Sequence, residues 1–200
     1  MIAYLALIPN PVYVQTENQI ETLNNNQVPM VGTTVISGNI PRTVLGWWRT
    51  TQTDSYNIYE CGRGQSGQSF SLGRWFGEHG TSAKGLTCHT WCGCYNNDVS
   101  KSGSDIGPSD NTWNHFAHVW DGSTHYIYFN GELYSNGPDA GNRMLDTFGD
   151  GCVFGSKDGR FDFKGSVKGL QIYTAALTSE QIKYLKGLIS RAKLLSIPIH

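Results

Sequence analysis

Charge is what this chain of 200 residues has least of: Asp, Glu, Lys and Arg make up 16% of it and leave a net charge of −1. No run of basic residues occurs, which argues against a nucleic-acid partner, because phosphate binding needs a concentrated positive footprint. No stretch approaches the roughly 20 apolar residues of a membrane-spanning helix. The apolar opening Met1–Ile8 is short and lacks a basic flank and a small-residue cleavage site, so it reads as a first strand, not a leader. Phosphate loops, dinucleotide fingerprints and Gly-x-Ser-x-Gly elbows are missing as well. The glycine-rich run Gly62–Gly67 reads as a flexible connection. No Asn-x-Ser/Thr acceptor offers a glycosylation site.

What is plentiful points to β structure. There are 24 glycines, 10 tyrosines, 8 phenylalanines and 6 tryptophans, turn-formers and flat side chains that favour pleated sheets. Short β-like runs alternate with Gly, Asn, Asp and Ser clusters: Thr33–Ser37, Arg42–Thr50, Tyr56–Glu60, Ser69–Leu72, Leu86–Cys94, Trp113–Trp120, His125–Phe129, Glu132–Tyr134, Gly151–Phe154 and Gly165–Tyr173. That spacing predicts an all-β, antiparallel two-sheet sandwich. The clearest piece is Trp113–Gly131, two strands joined at Asp121-Gly122-Ser123 and followed by a second turn at Asn130-Gly131. Asn-Gly tolerates the positive φ of a type I′ turn. Ile127 and Phe129 share one face and Tyr126 and Tyr128 the other, so the sheet is expected to pack on one side and bind on the other.

The C-terminal end differs. Thr178-Ser-Glu-Gln181 is a capping box, and Ile182, Leu185, Ile189, Ala192 and Leu195 recur at helical spacing. A helix over 179–195 follows, its apolar stripe facing the sandwich or a neighbouring subunit. Three segments result: an N-terminal strand and wrapping segment (1–30), the sandwich (31–178), and a C-terminal amphipathic helix and tail (179–200).

Five cysteines, Cys61, Cys88, Cys92, Cys94 and Cys152, leave one thiol over in a monomer. In an extended segment Cys88, Cys92 and Cys94 share a face, with His89 on the other. Three readings stay open: buried reduced thiols acting as small hydrophobes, one disulfide involving Cys61 or Cys152, and metal ligation. The first is favoured. His115, His118 and His125 are close in sequence, but alternation puts His115 and His118 on opposite faces, which speaks against a joint catalytic site.

Three ordered segments carry a resemblance: Pro41-Arg-Thr-Val-Leu-Gly-Trp-Trp-Arg-Thr50, the Trp113–Gly131 hairpin, and Phe163–Ile182 with its closing strand and helix start. Together they resemble the laminin-G-like jelly rolls of the concanavalin A-like lectin/glucanase superfamily, over residues 31 to 187. The resemblance implies the jelly-roll fold, packing roles for Trp113 and His115, and an extracellular or particle-surface location. The superfamily spans lectins, adhesion modules and enzymes, so fold alone leaves the function open. Two departures bear on function. Glucanases of this group carry Glu-x-Asp-x-x-Glu, the close carboxyl pair of a retaining mechanism. Here the six glutamates (17, 21, 60, 78, 132 and 180) are scattered. Relatives also place an acid on the closing strand for a convex-side calcium ion, where this chain reads Val167-Lys168-Gly169-Leu170, an ammonium in place of a donor.

The expectation is therefore a non-catalytic lectin-like module for carbohydrate or a glycosylated surface. The alternative is a structural or adhesive surface component (coat, appendage or virion-surface protein) that uses the sandwich for assembly, with the terminal helix or the first 30 residues docking on a partner. Flat rings bury the apolar face of a sugar, which singles out Trp120, Tyr126, Tyr128, Trp75 and His79 as ligand contacts. Trp47 and Trp48 are adjacent and must face opposite sides. No cofactor is required. A calcium ion is left open among Asp98, Asp105 and Asp110, or Asp139, Asp146 and Asp150.

Overall fold

The computed structural model describes residues 8–15, 20–24, 26–30, 32–33, 36–65, 67–75, 85–90, 99–100, 111–138, 145–157, 159 and 161–195. They form two antiparallel sheets and one helix. In chain order the strands are β1 (Tyr13–Val14), β2 (Ile20–Asn24), β3 (Val28–Met30), β4 (Arg42–Thr50), β5 (Tyr56–Gly62), β6 (Ser69–Trp75), β7 (Gly85–His89), β8 (Val99–Ser100), β9 (Asn114–Trp120), β10 (Thr124–Phe129), β11 (Glu132–Pro138), β12 (Cys152–Phe154) and β13 (Lys164–Tyr173). Helix α1 spans Ser179–Leu195.

The first sheet runs β1-β13-β4-β9-β10-β11, with β2 also paired to β13. The second runs β3-β12-β5-β6-β7-β8. Within the N-terminal segment, β1 and β2 extend the first sheet and β3 the second. Of the strand expected over Thr33–Ser37, residues 34 and 35 lie outside the described residues, and Thr33, Ile36 and Ser37 are not part of a strand; Thr33 donates its hydroxyl to Met30 O and accepts Cys152 N.

Alternation decides what lies between the sheets. From the first come Val44, Trp48, Phe116, His118, Trp120 and Ile127, and from the second Tyr56, Tyr59, Phe70, Leu72 and Cys88, all at most 1% exposed. Their rings meet mostly edge-on or tilted, as with Trp48 and Phe116 at 5.9 Å, an arrangement aromatic quadrupoles favour. The local signals act as expected. Asn130 (φ 50°) and Gly131 (φ 86°) make the β10–β11 turn with positive φ at both central positions. Asp121 Oδ1 accepts hydrogen bonds from Ser123 N and Thr124 N to hold the preceding one.

Cys61 and Cys152 stand opposite each other on β5 and β12 and form a disulfide. The favoured reading of reduced thiols fails for this pair because neighbouring strands bring the two Cα atoms to 4.0 Å. Closing a loop of 91 residues removes about 4–5 kcal/mol of chain entropy from the unfolded state in the simplest account. Cys88 stays a buried thiol, while Cys92 and Cys94 lie outside the described residues.

The capping box forms: Thr178 Oγ1 accepts Gln181 N and Gln181 Oε1 accepts Thr178 N. Ile182 and Leu185 of α1 pack on Leu45, Ala117, Val119, Tyr128 and Tyr173. This part of the helical stripe is engaged on the outer face of its own first sheet. Self-association through the helix gains no support from it.

Candidate ligand-binding face

Among the described residues singled out for ligand contact, Trp120 faces the interior while Tyr126 and Tyr128 lie on the outer face of the first sheet. Trp120 faces inward, 1% exposed; its Nε1 donates to Asn39 Oδ1 and its ring lies 4.4 Å from that of His125. Its indole therefore offers no face to a sugar. Tyr128 is buried under α1, so the tyrosine-lined face expected to bind is covered by the helix. Tyr126, half-buried beside it, donates its hydroxyl to Asp121 Oδ2. Trp75 ends β6 opposite Gly85, and His79 lies outside the described residues.

Of the possible calcium ligands, Asp98, Asp105, Asp110 and Asp139 also fall outside them. Asp150 pairs with Lys157 at 3.6 Å and Arg63 at 3.8 Å, so ammonium and guanidinium stand where a divalent ion would need open oxygens. Asp146 is exposed beside Thr147, its backbone N bound to Gly67 O.

A different set converges at the other end of the same outer face, away from Ile182 and Leu185. Register places Trp47 opposite both His115 and Lys168, and alternation adds Arg49 and Trp113 to that side. The outward position of Lys168 comes from a bulge in β13 between Lys168 and Gln171, where Gly169 adopts φ 57°, a conformation glycine takes without steric cost. The Trp113 ring has Lys168 Nζ 4.4 Å and Arg49 Cζ 4.8 Å from its centroid. Lys168 also lies 6.0 Å from the Trp47 ring, and Trp47 meets His115 edge-to-face at 5.2 Å. Trp113 is thus half-buried at a rim, not a core residue as the resemblance implies.

This corner is electrostatically incomplete. Trp47 Nε1, Arg49 Nε and both nitrogens of His115 are buried without a hydrogen-bond partner. Leaving such groups unpaired costs about 1–3 kcal/mol each. Burial, helped by the nearby Lys186 cation, lowers the His115 pKa to about 3, so its ring is neutral at pH 7. Two cations, two indoles and unengaged N–H donors suit a flat, oxygen-rich, anionic group. Sequence reasoning had the needed parity: Trp47 with Arg49, and Trp113 with His115, are i, i+2 pairs on adjacent strands.

The outer face of the second sheet is polar and closed in a different way. Glu60 is fully buried, its carboxylate accepting from Ser69 Oγ, Ser156 Oγ and the backbone N of Lys157. These donors tie the carboxylate to the segment after β12, giving it an anchoring role.

With this geometry in view, the sequence profile of the concanavalin A-like lectin/glucanases superfamily matches residues 21–183. The chain belongs to that superfamily. Comparison with curated proteins gives no match. Among solved structures it is similar to the K499G mutant of NanB sialidase from Streptococcus pneumoniae (TM-score 0.65, 16% identity, 88% of this chain and 28% of that one). It is also similar to the binding domain of botulinum neurotoxin DC in complex with SialylT (0.59, 12%, 90% and 51%). A third likeness is the native heptameric SAP-like pentraxin from Limulus polyphemus (0.54, 18%, 90% and 78%). The chain spans little more than a quarter of the sialidase and about half of the neurotoxin domain. At these identities the likeness establishes the sandwich. Among the described residues no helix is long and apolar enough to cross a membrane.

Proposed function

We propose that the protein is a non-catalytic carbohydrate-recognition module that holds an acidic glycan across the outer corner formed by Trp47, Arg49, Trp113 and Lys168. The observation that carries this reading is the Trp113 ring with two cations within 4.8 Å and unengaged donors on Trp47 and Arg49 beside it. The indoles offer an apolar surface to a pyranose ring. Arg49 is suited to grip a carboxylate or sulfate with two parallel N–H bonds. The neurotoxin DC domain, seen with SialylT, supports a glycan-binding use of this sandwich, while the preference for acidic sugars rests on Arg49 and Lys168. The module works at a cell or particle surface, where such glycans are displayed. The assembly alternative draws no support from Ile182 and Leu185 of the helix, which are packed on the chain's own sheet.

A glycan array combined with tryptophan-fluorescence titration tests the reading, run with calcium and with chelator. Binding to sialylated or sulfated glycans, unchanged by chelation and lost in Trp113→Ala, supports it. Binding that survives Trp113→Ala, binding restricted to neutral sugars, or release of products from the glycan overturns it.

A further inference from the structure

A second cluster lies between the sheets, away from the outer corner. Among the described residues one group of three metal-ligating side chains converges: Cys88 from β7, His118 from β9 and His125 from β10, their donor atoms all within 4.8 Å of one another. His118 Nε2 and His125 Nδ1 are 3.0 Å apart. His118 Nδ1 is 2.7 Å from Tyr59 Oη, so a proton on Nδ1 donated to that oxygen leaves Nε2 with its lone pair facing the other two. A partner on the remote ring nitrogen is what orients metal-binding histidines. His125 turns its Nδ1 to His118, and its Nε2 is buried with no partner.

We propose that Cys88, His118 and His125 form a buried copper(I) site. Donors 2.0–2.3 Å from a metal in a trigonal arrangement lie about 3.5–3.8 Å apart, within the span observed and reached by sub-ångström shifts of three side chains. Two imidazoles and one thiolate are the trigonal set that copper takes. Charge decides between copper and zinc. Arg42 is buried in the same interior, its guanidinium 5.2 Å from the Phe70 ring centroid, and that ring stacks on His118 at 4.1 Å. When copper(I) enters, the Cys88 S–H bond breaks, its proton leaves to solvent and a Cu–S bond forms. The net charge of the cluster is unchanged and no electron moves. Zinc(II) with the same thiolate adds one uncompensated positive charge beside Arg42, which burial penalises strongly, and a structural zinc site calls for a fourth protein ligand. The cluster also lies near one rim: β7 and β10 are each one strand in from an edge, inside β8 and β11.

The test titrates the full chain anaerobically with copper(I) against a chromophoric copper(I) chelator. One equivalent should bind, X-ray absorption should read one sulfur and two nitrogen ligands, and about one proton should be released per copper. Cys88→Ser should lose the site, His125→Gln should weaken it at least tenfold, and the Cys92→Ser/Cys94→Ser double variant should keep it. The absorption spectrum is read on the unaltered protein, so it decides even where a variant fails to fold. Less than half an equivalent bound, a sulfur-only ligand set, retention in Cys88→Ser, loss in the double variant, or preference for zinc in direct competition each overturns the proposal.

Discussion

The two halves of the first sheet's outer face are built from the same three strands and end differently. Toward one end, Leu45 of β4, Ala117 of β9 and Tyr173 of β13 are capped by Ile182 and Leu185 of α1. Toward the other, Trp47, His115 and Lys168 of those strands meet each other and Trp113. The helix completes the first half with apolar contact. The second half is closed by rings and cations, and it keeps buried N–H groups without partners. The comparison teaches that coverage, not strand pattern, separates a packing surface from a recognition surface here.

The largest effect that sharpens this contrast is acid unfolding. His115 belongs to the recognition half, His118 and His125 to the interior, and none is exposed. Burial lowers the pKa of all three below the ordinary 6.5, to about 3 for His115 and His125. Below pH 6.5 the unfolded chain therefore binds more protons than the folded one, and stability falls as pH drops toward 3. Each histidine contributes a slope approaching about 1.4 kcal/mol per pH unit, so all three together approach about 4. Urea unfolding at pH 7, 6 and 5 reads this directly, and a flat profile between 6 and 5 rules out neutral buried imidazoles. His115→Gln should remove about a third of the slope.

Next in size is the helix-covered half. Ile182→Ala empties a fully buried contact, at a cost of about 2–5 kcal/mol. Its glycan affinity should be unchanged, since the recognition corner lies at the other end of the sheet. Thermal unfolding paired with the fluorescence titration checks both. A variant of ordinary stability that loses glycan binding would erase the division between the halves.

Much of this architecture is legible in the sequence wherever the signal is local. The Asn130-Gly131 turn, the period-two alternation of β10 and the Thr178–Gln181 capping box each specify a neighbour a few residues away, and helix and hairpin follow. Coverage is not local. Tyr128 alternates like a surface residue, and only a helix beginning about fifty residues later buries it. Trp120 reads as a rim residue beside Asp121, yet His125 across the turn and Asn39 from far upstream enclose it. The histidine pair was nearer to hand. His118, Trp120, His125 and Ile127 share one face by parity across the hairpin, and comparing His115 with His118 alone hides that pairing. Cys88 joins them from the opposite sheet, and Cys61 meets Cys152 across β5 and β12, contacts that no period in the sequence encodes.

A smaller effect separates charge from shape within the recognition corner. Arg49→Gln keeps a polar side chain but removes the guanidinium that lies 4.8 Å from the Trp113 ring centroid. Affinity for acidic glycans should fall about tenfold, the ~1.4 kcal/mol expected for one charge-assisted hydrogen-bond pair. Neutral sugars, if bound at all, should be unaffected. Equal loss for both classes would mean that Arg49 shapes the corner and does not read the anion.

The smallest expected change belongs to the start of the helix. Thr178 Oγ1 accepts from Gln181 N at 3.3 Å, and Gln181 Oε1 accepts from Thr178 N at 2.8 Å. Both contacts are exposed, so water replaces much of what a substitution removes. Thr178→Ala should cost about 1 kcal/mol, within the usual range for a lost N-cap, because the first-turn amides then lose their side-chain acceptor. Ile182 and Leu185 still hold the helix on the sheet, so far-ultraviolet circular dichroism at 25 °C should not change while the unfolding midpoint drops. A loss of helix signal in Thr178→Ala at that temperature would show that the cap, and not the apolar contact with Tyr128 and Tyr173, keeps α1 over the sheet.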